Sequence, residues 1–102
     1  MDSQSGAVAS ITKLLTDFAL TKFPVEALEV KGPIKEGSNY RWRIASTRFK
    51  EVVVVLKTKK PLFQGLKLQA IEVFGTTQDR QLKPNLEDLK AYLSKAELRP
   101  LR

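Results

Sequence analysis

Eight cations stand between Arg41 and Lys67 of this 102-residue chain: Arg41, Arg43, Arg48, Lys50, Lys57, Lys59, Lys60 and Lys67. Only one anion, Glu51, stands among them, so the segment carries +7. Outside it ten cations face ten anions, and the formal net charge of +7 therefore originates in this one stretch. The first two arginines alternate with large apolar residues in Tyr40-Arg41-Trp42-Arg43-Ile44. In a strand, alternate side chains face opposite ways, so Tyr40, Trp42 and Ile44 face a core while Arg41 and Arg43 project to water, about 7 Å apart. That separation is close to the spacing of successive phosphates along a nucleic-acid strand, and the guanidinium fork matches phosphate oxygens.

Lys57, Lys59 and Lys60 extend the positive surface onto the connector after the next strand. Arg48 and Lys50 extend it at the opposite end of the strand pair, and Phe63, in a loop, is placed to stack on a base. The function expected from this pattern is non-enzymatic binding of RNA or single-stranded DNA, led by the backbone, sensitive to salt and weakly sequence-specific. Blander roles exist for the same residues. A two-layer sandwich carries arginines on its solvated face, and Leu62 and Phe63 can close a core edge as a loop flap. The alternative function is a protein–protein interaction module or a small subunit of a larger complex. Such a module would dock an acidic partner, pair through an edge strand or form a homodimer. A third reading lays the basic hairpin on anionic lipid, where Leu62 and Phe63 make only a marginal anchor.

Catalytic chemistry has little to draw on. The chain has no cysteine and no histidine, which removes thiol chemistry, disulfides, and the commonest general base and metal ligand. Its serines have no evident base, and its carboxylates are scattered. The five glycines stand singly at turns and form no phosphate-binding loop. No catalytic residue, metal or cofactor is expected.

The elements that must position these residues are legible from periodicity. Val8, Ile11, Leu15 and Phe18 fall on one helical face, widened by Leu14 and Ala19. They predict a helix over about 6–22, ended by Pro24, with Thr12, Lys13, Thr16 and Asp17 on the opposite face. A first strand is expected over 25–31 and broken by Gly32-Pro33, and a second over 39–46. The third, 49–58, is nearly continuous in apolar content and suits a central position. The fourth, 66–74, alternates until Ile71, where a slip marks a bulge or bend. Asn85 caps a second helix bearing Leu86, Leu89, Leu93 and Ala96, with Glu87 and Asp88 in its first turn and Pro100 beyond its end. The order is α-β-β-β-β-α. Short connections favour a four-stranded antiparallel meander with both helices on one face, an α+β two-layer sandwich.

The domain is expected over residues 6–98, with a flexible leader at 1–5 and a basic tail at 99–102. Nothing in the opening residues reads as a secretory signal, and no apolar run suits a membrane span. A soluble intracellular protein is the expectation. Gly37-Ser38-Asn39-Tyr40, entering a strand after a helix and a first strand, resembles the corresponding segment of cystatins, which wrap an antiparallel sheet around a helix. The resemblance covers four residues and the coarse element order. The glutamine-containing hairpin by which cystatins enter protease clefts has no counterpart in Pro33–Gly37, and the second helix departs from the family. Inhibitor activity is therefore not expected.

Overall fold

The computed structural model describes residues 3–22, 28–59 and 67–101. Helix α1 (Ser3–Lys22) is followed by strands β1 (Glu29–Glu36), β2 (Asn39–Ala45), β3 (Val52–Lys59), β4 (Lys67–Phe74) and β5 (Arg80–Leu82), and then by helix α2 (Leu86–Lys95). The strands form one antiparallel sheet in chain order, β1-β2-β3-β4-β5. The α+β architecture and its meander agree with the sequence reading, but the sheet has five strands, not four. The missed strand is Arg80-Gln81-Leu82, three residues with one apolar side chain, too short to show a period. It pairs through Ile71 to Leu82 and Val73 to Arg80.

One face of the sheet carries the core. Trp42, Ile44, Val52, Val54, Leu56, Ile71 and Val73 are buried there with Ile11, Leu15 and Phe18 of α1 and Leu89 and Leu93 of α2. Trp42 is fully buried, as its alternation with the arginines requires. Its indole N–H donates to Thr12 Oγ1 at 2.8 Å, which satisfies the one polar atom of a large buried ring. Thr12 thus faces the sheet, although it falls on the polar side of the helical pattern. The Thr12 hydroxyl in turn donates to the Val8 carbonyl.

The helices are tied to each other at their C-terminal ends. Lys22 Nζ donates to the carbonyls of Leu93, Ser94 and Ala96, at 3.4, 3.3 and 2.5 Å. These carbonyls lie at the negative end of the α2 dipole, where Leu93 O also accepts from the Ala96 N–H at 3.3 Å, so a cation from α1 serves as part of the α2 C-cap. At the other end, Asn85 Oδ1 accepts from the Asp88 N–H, as its place before Leu86 predicts.

One expectation needs correction. Gly32-Pro33 does not end β1, which runs through it with a register shift between Lys31 and Ile34. Glycine accommodates this with a φ of 116°. Residues 98–100 lie against other chain segments. Phe49 bridges to Pro100 and Thr76 to Leu98, and the Lys50 N–H donates to the Arg99 carbonyl at 2.7 Å. The slip in β4 does prove to be a bulge. Lys57 pairs with Ala70 and Thr58 with Leu68, leaving Gln69 as the extra residue.

Candidate nucleic-acid interface

Both helices cover the same side of the sheet, so among the described residues its other side is open. The pairing register says which residues share it, because cross-strand partners point the same way. One row runs Lys31, Arg43, Val53, Phe74; the next runs Ile34, Arg41, Val55, Glu72. Lys57 and Lys59 continue the alternation of β3 on that side, and Glu29 and Glu36 lie on it at the two ends of β1. Four of the cations singled out in the sequence, Arg41, Arg43, Lys57 and Lys59, therefore share one surface.

Counted over the described side chains, that surface is close to charge-balanced. Among the described side chains its cations are Lys31, Arg41, Arg43, Lys57 and Lys59, and its carboxylates are Glu29, Glu36, Glu51 and Glu72. Three ion pairs lock part of it: Arg43 to Glu51 at 2.7 Å, Arg41 to Glu36 at 3.3 Å and Lys57 to Glu72 at 3.6 Å. The Arg43–Glu51 contact is a full hydrogen bond. It is the first cause holding the Glu51 carboxyl below the usual glutamate range, helped by the positive charges of Arg43, Lys31 and Arg41 and opposed by desolvation. The same hydrogen bond and the Glu51 charge raise Arg43. Arg41 is held more loosely. Its Nε lies at ion-pair distance from Glu36, yet this buried atom has no hydrogen-bond partner among the described residues. The distance satisfies an ion pair while the angle does not make a hydrogen bond.

The other sequence candidates lie elsewhere. Exposed Arg48 and Lys50 lie in the β2–β3 connector, whose turn is held by Ser46 Oγ accepting from the Arg48 and Phe49 N–H groups. The Leu101 N–H donates to the Arg48 carbonyl, so the chain's C-terminal segment runs beside the connector and brings exposed Arg99 to it. Arg99 itself donates through Nε to the Thr76 carbonyl. Lys60 and Phe63 lie outside the described residues. The sequence therefore indicated the cationic strand but not Lys31, Phe74 or Arg99. Lys31 was hidden by the apparent break at Gly32-Pro33. Phe74 was hidden by the slip in β4, which obscures its face. Arg99 was read as tail.

Both sheet edges carry features that oppose pairing with another strand. β1 has Lys31, Pro33, Lys35 and an irregular register, and β5 is three residues long. Among the described residues no group of three His, Cys, Asp or Glu side chains is arranged to hold a metal ion. No helix among them is long and apolar enough to cross a membrane. Comparison of the chain with models of protein families, with curated proteins and with solved structures finds no match.

Proposed function

We propose that the protein is a non-enzymatic nucleic-acid-binding domain that contacts the backbone through its open sheet face. The observation that carries this reading is the placement of Arg41, Arg43, Lys57 and Lys59, with Lys31, on the one sheet surface that the helices leave uncovered. The whole chain is strongly basic, with a formal net charge of +7, and attracts a polyanion from beyond contact range. The carboxylates on the face do not forbid phosphate contact. Exposed ion pairs are worth roughly 0–1 kcal/mol, so a phosphate can take the place of a carboxylate at Arg41 or Lys57. They do keep the affinity modest and reward correct placement over simple attraction. Arg48, Lys50 and Arg99 provide further contacts at one end of the sheet.

The test is binding of a labelled oligonucleotide across a salt series, comparing the wild type with Arg41→Ala/Arg43→Ala. Binding that weakens steeply with salt, and a slope shallower by about 1.4 in the double variant, follow if each arginine meets one phosphate of a single strand. Absence of binding at low salt by a folded protein overturns the reading. In that case capture by an acidic polypeptide such as polyglutamate assigns the face to an acidic protein partner.

A further inference from the structure

Phe74 is placed where the core does not use it. Its neighbours Ile71 and Val73 are buried, while Phe74 ends β4 on the open face and is 43% exposed. It stands directly across from Val53, whose other neighbour is Arg43. At the usual strand spacing, the aromatic ring and the guanidinium belong to positions about 10 Å apart across the sheet. Gly75 fixes this end of the strand. Its φ is 95°, and a Cβ there would run into the Glu51 carbonyl, so the chain passes close against the start of β3. The Gly75 N–H is held by Asp79 Oδ1 at 2.8 Å.

The charge on the face is graded. β1 and β2 carry Lys31, Arg41 and Arg43 against Glu29 and Glu36, whereas the described side chains of β4 add Glu72, beside Phe74, and no cation. A phosphate is favoured over the first side and repelled from the second. A base has no such conflict on the second side, because it is uncharged and its flat surface matches an exposed ring. From this grading, and resting on the nucleic-acid reading above, we infer that the ligand is an unpaired strand that runs along β3. Its phosphates lie over the arginine side, and one base stacks on Phe74. A duplex cannot use Phe74, since its bases are already stacked on one another. From Val52 to Lys59 β3 covers about 24 Å at the usual rise, room for roughly four nucleotides, the lower end of single-strand site sizes.

The experiment uses the full chain with oligothymidylates of two to twelve nucleotides and a blunt duplex hairpin. It compares the wild type with Phe74→Leu and Phe74→Trp. Leucine keeps an apolar side chain against Val53 and removes the π face; tryptophan keeps it and adds a reporter. Three results are expected: affinity that levels off near about four nucleotides, a loss of about tenfold in Phe74→Leu without change in salt slope, and wild-type affinity with quenched emission in Phe74→Trp. Wild-type affinity in Phe74→Leu, or equal affinity for the duplex hairpin, overturns the stacking inference and leaves backbone binding standing. No binding of any oligonucleotide at low salt overturns both.

Discussion

Removing the carboxylates from the open face tests its role more sharply than removing its cations. Glu36, Glu51 and Glu72 each pair with a cation that the proposal assigns to phosphate. Among the described side chains, the variant Glu36→Gln/Glu51→Gln/Glu72→Gln leaves five cations on the face against Glu29 alone. Each cation thereby released to a single-strand phosphate steepens the plot of log K against log salt by about 0.7. Three released cations add about 2, which at 50 mM salt corresponds to a tightening of at most a few hundredfold. The gain falls below that limit by whatever contact the paired cations already make in the wild type. Net charge alone is controlled by Asp17→Asn/Glu87→Gln/Glu97→Gln, which removes the same charge from exposed positions outside the face. The assay is fluorescence anisotropy with a labelled oligothymidylate between 25 and about 300 mM salt, where screening is already strong. The reasoning is refuted if the two triple variants tighten binding equally, because the effect is then global charge and not the face.

Three further outcomes follow from the structure. Replacing Lys22 by methionine leaves the carbonyls of Leu93, Ser94 and Ala96 without their cationic donor. It is expected to cost about 1 kcal/mol, a fall of about 4–8 °C in Tm for a domain of this size; an unchanged Tm would show that water caps α2 equally well. Gly75→Ala forces a side chain into a φ of 95° and against the Glu51 carbonyl. A loss of about 2 kcal/mol or more is expected in urea unfolding, and a change below about 0.5 kcal/mol would mean that the turn is free to rearrange. Glu51 has its carboxyl lowered in the folded state by the Arg43 hydrogen bond. Its contribution is therefore complete above the unfolded glutamate value of about 4.3 and is lost as pH falls through the lower folded value. In an acid titration followed by circular dichroism, Glu51→Gln should abolish that part of the wild-type loss, and an identical pair of curves would contradict the pairing.

The parts of the fold that repeat a period could be read from the chain. Tyr40 to Ile44 alternates cleanly, and the structure buries Trp42 and Ile44 while leaving Arg41 and Arg43 on the other side. Val8 to Phe18 follows a helical stripe, and Asn85 caps as its chemistry requires. Where local geometry interrupts the period, the reading failed. Gly32-Pro33 looks like a strand end, yet cross-strand bonds to β2 on both sides of it carry β1 through. Arg80–Leu82 is a strand because β4 offers it an edge, not because of its own pattern. The charge balance of the face was hidden for the same reason. Glu36 and Glu72 come from strands other than those of the cationic segment, and only the register brings them beside Arg41 and Lys57. Glu51 was inside the segment, but its pairing with Arg43 depends on the β2–β3 register that sets Arg43 opposite Val53.

The most direct measurement is a two-dimensional amide NMR titration of the full chain with an unlabelled oligothymidylate of six nucleotides. Saturable shifts centred on Arg41, Arg43, Val53, Val55, Lys57 and Phe74, with Leu14, Lys90 and Leu93 unmoved, are the predicted result. Shifts confined to the helix layer, or none at low salt, would contradict the assignment of the open sheet face as a nucleic-acid-binding surface.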